Sequence, residues 1–124
     1  MLNQIVIMGR LTKTPELRYT QSKKPVTSFT LAVERDFTGE KKETDFIDCV
    51  SWNRAAEVIA EHFDKGQMMA VTGRLQFRDW EDRDGNKRRS AEILVDSFYF
   101  CDSKKKADSK PTFVELTDEE ELPY

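Results

Sequence analysis

Five stretches of strand-like alternation, interrupted by one helical segment, constrain the fold of this chain more than any other feature. They lie near residues 3–12, 26–37, 43–52, 67–80 and 88–101. Apolar side chains recur at every second position in several of them, as in Phe29, Leu31 and Val33. A period of two is typical of strands with one buried face. Most of residues 1–101 is therefore predicted to be β-sheet.

The one convincing helix is predicted between the third and fourth strands. Its apolar side chains at helical spacing are Ala55, Ala56, Ile59, Ala60 and Phe63. Asn53 is a favourable N-cap, Lys65 falls in the predicted last turn, and Gly66 suits the left-handed position that follows a helix. Three strands, a helix and two strands is the order of the OB-fold, a five-stranded Greek-key barrel that often binds oligonucleotides. The predicted fold class is all-β.

Composition excludes several other classes of protein. The chain has 124 residues, of which 35% are charged and 38% apolar, so we expect one globular domain. No apolar run approaches the ~18 residues of a membrane span. The first residues lack the pattern of a signal peptide, so the cytoplasm is the expected location.

Cysteine and histidine usage argues against a metal, a cofactor or catalysis. Cys49 and Cys101 have no partner at zinc-ligand spacing, and we expect both to be small buried apolar residues. His62 is expected to be solvated or at a subunit contact. Without a nucleophile motif or a Gly-rich phosphate loop, the chain is not predicted to be an enzyme.

Charge divides the chain into three zones. Residues 1–101 carry 16 basic and 16 acidic side chains, so their net charge is zero. Residues 102–114 are polar and contain four lysines, which is typical of a flexible linker. Residues 115–124 contain five acidic residues and no basic one, so this tail is expected to be disordered.

Alternation in the fourth strand places basic and aromatic side chains on one face. Arg74, Arg78 and Trp80 share the predicted outward face. The opposite, core face is predicted to contain Met69, Val71, Gly73, Leu75 and Phe77.

The third strand repeats this pattern. Phe46 and Trp52 lie on the predicted outward face, opposite Ile47 and Cys49. Unpaired bases stack on exposed aromatic rings and phosphates attract arginine, so single-stranded nucleic acid is the natural partner. Two alternatives stay open at this point: the faces are reversed and the rings form core, or individual basic residues are merely solvated.

The order of several motifs resembles bacterial and phage single-stranded DNA-binding proteins. The matching segments are residues 3–11, 14–19, 30–33, 44–52, 65–66 and 71–75, together with the last few residues. This resemblance implies an OB-fold and a homotetramer around which single-stranded DNA wraps. Self-association also fits apolar residues such as Leu2 and Ile5 in an early strand with an exposed edge.

The resemblance also implies site residues. The base-stacking aromatics correspond to Phe37, Phe46, Trp52 and Trp80, although a loop anchor is an alternative for Phe37. The basic residues expected to contact DNA are Arg10, Arg18, Arg35, Arg54, Arg74, Arg78, Lys87 and Arg88.

The acidic terminus resembles the partner-docking tip of the same family. The docking residues are expected to be Asp118, Glu119, Glu120, Glu121, Leu122, Pro123 and Tyr124. Tyr124 departs from the family pattern, which has phenylalanine there. The shorter linker suggests a phage or mobile-element member.

The expected function is sequence-independent binding and protection of single-stranded DNA in replication, recombination and repair, with partner proteins recruited through the tail. An RNA-binding or primosome-type OB module is the alternative. An enzyme or a pure interaction scaffold explains the exposed aromatic face less well.

Overall fold

The computed structural model describes residues 1–36 and 39–101. Its elements are β1 (Ile5–Leu11), β2 (Glu16–Tyr19), β3 (Pro25–Glu34), β4 (Thr44–Trp52), α1 (Asn53–His62), β5 (Met68–Glu81) and β6 (Lys87–Phe100). The five predicted strands correspond to β1, β3, β4, β5 and β6. The sequence prediction missed β2, because four residues are too few for alternation to be distinguished from an irregular loop.

The strands form one sheet that closes into a barrel. Their order is β1-β5-β6-β4-β3-β2, and β1 also pairs with β3 through Arg10–Ala32 and Leu11–Leu31. All pairs are antiparallel except β4 with β6, which is parallel. With α1 between β4 and β5, this topology is that of the predicted OB-fold.

The inner side chains of the barrel form the core. Leu31, Met69, Val71 and Ile93 are fully buried, as is Ile59 from α1. Burial of side chains of this size contributes roughly 1.5–3 kcal/mol each, and this burial holds the two sides of the barrel together.

Phe63, which directly follows α1, packs against the end of β6. Its ring stacks on Phe100 with centroids 4.2 Å apart and meets the edge of Phe98 at 6.0 Å. Such aromatic pairs add stability beyond the area that they bury.

Both ends of the helix differ from the prediction. The N-cap residue is Trp52, and Asn53 makes no side-chain cap but adopts a φ of +60°, which asparagine tolerates better than most residues. The helix ends at His62, so Lys65 lies beyond its last turn. Gly66 has the expected left-handed φ of +88°, but it belongs to the turn before β5, where its N–H donates to the carbonyl of Leu11.

The hairpin of β5 and β6 projects beyond the barrel, which contradicts part of the predicted core. β1 pairs with β5 no further than Gly73, whereas β5 and β6 stay paired to Glu81 and Lys87. On this two-stranded ribbon Leu75 is 37% and Phe77 57% exposed. Alternation predicts which face a residue occupies, but it cannot predict where the opposing layer ends.

Two strand glycines allow the barrel strands to approach each other closely. A Cβ at Gly9 would lie 2.6 Å from the carbonyl oxygen of Ala32, and one at Gly73 would overlap the carbonyl oxygen of Leu94. Gly73 also adjoins the register shift between β5 and β6. Both positions therefore require the absence of a side chain.

The two cysteines differ in environment. Cys49 is buried, and desolvation raises the pKa of its thiol to about 12, so it stays protonated and unreactive. Cys101 is exposed, so the prediction that it is a buried apolar residue was wrong. It directly follows β6, where the chain leaves the barrel.

Candidate nucleic-acid interface

Strand register brings the predicted basic and aromatic side chains onto one outer face. Val50 of β4 pairs with Leu94 of β6, which pairs with Arg74 of β5. Side chains at alternate positions share a face. This outer face therefore includes Phe46, Asp48, Val50, Trp52, Arg74, Gln76, Arg78, Trp80, Arg88, Ser90, Glu92 and Leu94.

Three of the four predicted stacking rings lie open on this outer face. Phe46 is 65%, Trp52 39% and Trp80 41% exposed. The opposite face of β4 contains Cys49, which is buried in the core. The faces were therefore assigned correctly, and the alternative that these rings form the core is excluded.

Pairing with β3 adds two further arginines to the outer face. Arg18 of β2 pairs with Val26, which pairs with Trp52. Arg10 of β1 pairs with Ala32, which pairs with Phe46. Neighbouring strands lie about 4.8 Å apart, so each arginine backbone is roughly 10 Å from the aromatic residue in its row.

The basic residues differ in how far they are already paired. The side chains of Arg18, Arg74 and Lys87 make no hydrogen bond or ion pair within residues 1–36 and 39–101. The other predicted basic residues bind the protein itself: Arg78 to Glu92 at 3.7 Å, Arg88 to Asp82 at 3.0 Å, Arg54 to Glu57 at 3.4 Å, and Arg10 to the carbonyl of Gly66 at 3.0 Å. The arginine of each ion pair is more than half exposed, so these pairs are individually weak.

Arg35 is not brought onto the outer face. It follows β3 and donates to both oxygens of Asp45 and to Glu43, with distances of 2.8–3.0 Å. Asp45 pairs with Val33 and so lies on the opposite side of the strand from Phe46. The hydrogen bond from Arg35 is the main cause of a lowered pKa at Asp45.

Two shallow grooves border the rings. One lies between the start of α1 and β6 and is lined by Trp52, Arg54, Leu94 and Asp96, among others. The other lies near the hairpin tip, beside Trp80, Lys87 and Arg88. Lys87 belongs to the reverse side of the ribbon by alternation, so it lines this groove without being part of the outer face.

Sequence reasoning did not include Ser90, Asp48 and Glu92 among the site residues, although all three lie on the outer face. Ser90 accepts a hydrogen bond of 2.8 Å from the indole N–H of Trp80. Asp48 accepts one of 2.9 Å from Thr30, and Glu92 contacts both Arg78 and Gln76. The available signal was the same alternation that selected the arginines.

Several predicted residues lie outside the described part of the chain. These are Phe37 and the docking residues Asp118 to Tyr124. Among the residues that the structure describes, no cluster of side chains suits a metal ion, and no helix is long and apolar enough to cross a membrane.

The chain is similar to single-strand binding proteins both in a family comparison and in comparisons with individual proteins. The model of the single-strand binding protein family matches residues 2–101. "Single-stranded DNA-binding protein A" of Bacillus subtilis is 46% identical over 106 residues, which are 84% of this chain and 62% of that protein. The "Single-stranded DNA-binding protein" of Caldanaerobacter subterraneus subsp. tengcongensis is 44% identical over 106 residues, covering 84% of this chain and 71% of that protein.

A third relative matches almost end to end. "Single-stranded DNA-binding protein 1" of Streptococcus pyogenes serotype M18 is 40% identical over 122 residues, which are 91% of this chain and 94% of that protein. By contrast, the match covers less than two thirds of the length of the Bacillus subtilis protein.

Proposed function

The chain belongs to the single-strand binding protein family, and we propose that it binds and protects single-stranded DNA in replication, recombination and repair. The observation that supports this most directly is the shared outer face of Phe46, Trp52, Trp80 and Arg74. The relatives that this chain matches are named single-stranded DNA-binding proteins, and binding requires no chemistry from the protein.

Stacking supplies the part of the affinity that does not depend on sequence. Every base has an apolar π-face, and each base on an aromatic ring contributes about 1–3 kcal/mol. Three open rings on neighbouring strands therefore suit a chain of unpaired bases. A duplex hides these π-faces, so the same rings discriminate against double-stranded DNA.

The charges of the outer face suggest where the phosphates lie. Asp48 and Glu92 occupy its centre and repel phosphate. Arg18 and Arg74 lie on flanking strands and are unpaired within the described residues. We therefore expect the bases to cover the centre while the phosphates follow the basic margins.

Tryptophan fluorescence tests the proposal directly, because Trp52 and Trp80 are the two tryptophans of the chain. Titration with oligo-dT should quench their emission strongly, and raising the salt concentration should weaken the complex. Duplex DNA of equal length is the control, and RNA of equal length tests the alternative of an RNA-binding module. Absence of quenching by oligo-dT, or equal binding of the duplex, would refute the proposal.

We further propose that the protein is a homotetramer. One edge of β1 pairs with β5, whereas its other edge pairs with β3 only at Arg10 and Leu11. Along residues 5–9 this second edge is unpaired in the described structure. Beside this edge, Met8, Ala70 and Tyr99 form one register row, in which Met8 is 55% and Tyr99 53% exposed. Exposed edges and apolar rows of this kind favour association with a second copy.

The expected contribution of Ile5 to this association needs correction. Ile5 is half-buried against the core, whereas Leu2 precedes β1 and is 95% exposed. Val6 and Met8 are the apolar β1 side chains that face outward. Sedimentation of a stable 14.5 kDa monomer at micromolar concentration would refute the tetramer.

We also propose the organisation expected from charge: a binding domain in 1–101, a linker in 102–114 and an interaction segment in 115–124. The acidic residues of 118–121 followed by Leu122-Pro123-Tyr124 suit an apolar pocket with a basic rim on replication and repair proteins. Cytoplasmic location at replicating or damaged DNA follows from this function.

A further inference from the structure

The indole of Trp80 is fixed by one side chain on the neighbouring strand. Its Nε1 donates a hydrogen bond of 2.8 Å to Oγ of Ser90. In the strand register Trp80 faces Arg88, and Ser90 faces Arg78. The bond therefore runs diagonally across the ribbon, and it draws the ring away from the hairpin tip and towards the barrel.

This bond matters because it is the one directional contact that the Trp80 side chain makes among the described residues. Trp80 lies beyond the last pairing of β1 with β5, which ends at Gly73. Its side chain is 41% exposed. Within residues 1–36 and 39–101 it makes no aromatic stack or cation–π contact. An indole in this position has two torsions that would otherwise be free to vary.

We propose that Ser90 is a positioning residue for strand binding, which holds the Trp80 ring in the orientation that receives a base. This inference rests on the proposed function, since it concerns how one of the stacking rings is presented. The hydrogen bond uses the only polar atom of the indole, and because an N–H donates in the plane of the ring it does not occupy a π-face. The serine hydroxyl thus orders the ring before the strand arrives.

Ordering in advance increases affinity, because binding then loses less side-chain entropy. A partly exposed hydrogen bond has a modest net free energy. Its loss should correspond to a decrease in affinity of about two- to tenfold. Replacing Trp80 itself should have the larger effect, because it removes the whole stack.

The test uses the full chain with Trp52→Phe as the common background, so that Trp80 is the sole fluorophore. Ser90→Ala should lower the fluorescence anisotropy of Trp80 in the free protein and weaken oligo-dT binding about two- to tenfold. Ser90→Thr keeps the hydroxyl and should restore both properties. Ser97→Ala, on the same strand but near the barrel, is the matched control and should change neither.

A double-mutant cycle with Trp80→Ala, measured by labelled oligo-dT in the Trp52→Phe background, separates positioning from direct contact. If Ser90 acts through the ring, Ser90→Ala should have no further effect once Trp80 is alanine. An equal loss of affinity in both backgrounds would overturn the inference, as would an unchanged anisotropy or failure of Ser90→Thr to rescue. Failure of the proposed function would look different, since the background protein and Trp80→Ala would then bind oligo-dT equally or not at all.

Discussion

The guanidinium of Arg78 lies 3.7 Å from the carboxylate of Glu92, whereas Arg74, four residues earlier on the same face, has no ion pair within the described residues. The two arginines are equivalent by sequence pattern but differ in this structure. An arginine already facing a carboxylate must share or exchange that partner before it can bind a phosphate.

We therefore expect Arg74→Gln to weaken oligo-dT binding more than Arg78→Gln. Removing a full phosphate contact should also reduce the slope of log affinity against log salt by about 0.7. The measurement is a fluorescence titration at four or more salt concentrations. Equal slopes in Arg74→Gln and the parent protein would remove Arg74 from the phosphate contacts.

Glu92→Gln is the complementary change. It frees Arg78 and removes a negative charge from the centre of the outer face, so affinity should rise, most clearly at low salt where the repulsion is least screened. Lower affinity in this variant would show that Glu92 supports the site rather than opposing phosphate.

Trp80→Ala should weaken oligo-dT binding by about 1–3 kcal/mol, which is the contribution of one base stack. Its free energy of unfolding should change little, because the ring is on an exposed face. Phe77→Ala is the matched control: this ring is also exposed on the ribbon, but it lies on the reverse face, where Arg89 covers it at 5.5 Å. If both variants bind equally weakly, the ribbon matters as a whole and the outer face has no special role.

The hydroxyl of Ser51 is buried without a hydrogen-bond partner among the described residues. Its neighbour in the register, Thr27, is also fully buried but donates to the carbonyl of Glu16 at 2.8 Å. Ser51→Ala should therefore raise the free energy of unfolding, by on the order of 1 kcal/mol, because an unsatisfied buried group is removed. Thr27→Val should lower it by a similar amount. Chemical denaturation measures both, and two changes of the same sign would contradict the assignment.

The ion pair between Arg35 and Asp45 predicts a dependence on pH. The pKa of Asp45 lies below its ordinary value of 3.8 in the folded protein, chiefly because Arg35 donates a hydrogen bond to it. A depressed carboxyl pKa stabilises the fold above the ordinary pKa, and this stabilisation is lost as pH falls through the folded pKa. Arg35→Gln should return the Asp45 pKa towards its ordinary value, as measured by NMR titration.

Asp82 is the internal control for that titration. Its pKa is lowered mainly by the backbone N–H of Asn86 in the hairpin turn, so Arg35→Gln should leave it unchanged. Since Arg35 lies off the outer face, the same variant should weaken DNA binding less than Arg74→Gln. A larger loss in Arg35→Gln would restore Arg35 to the DNA contacts.

Deleting residues 122–124 should leave oligo-dT affinity nearly unchanged and abolish capture of replication or repair proteins. Deleting all of 115–124 should raise DNA affinity at low salt, because five acidic residues that repel phosphate are removed. Pull-down and titration of the two truncated proteins test this. Retention of every partner by the shorter deletion would leave residues 122–124 with no docking function.

Most of the fold could be predicted from local pattern. Alternation in β3 and β4, together with one helical stripe between strands, is enough to predict an OB-fold, because side-chain direction in a strand follows directly from position. The same rule correctly placed Phe46, Trp52, Arg74 and Trp80 on an outward face. It predicted these rings as DNA contacts before any strand was paired.

Tertiary structure alone decided which side chains are covered and which charges are paired. Leu75 and Phe77 have the spacing of core residues but lie on a ribbon with no opposing layer. Arg35, Arg74 and Arg78 are all predicted from the sequence as DNA contacts. In the structure, strand register brings a carboxylate close to Arg35 and to Arg78 but not to Arg74 within the described residues. Such partners lie about ten residues away, on the other side of a hairpin, so no local pattern contains them. The hydrogen bond between Trp80 and Ser90 has the same origin, since it exists only once the pairing of β5 with β6 is set.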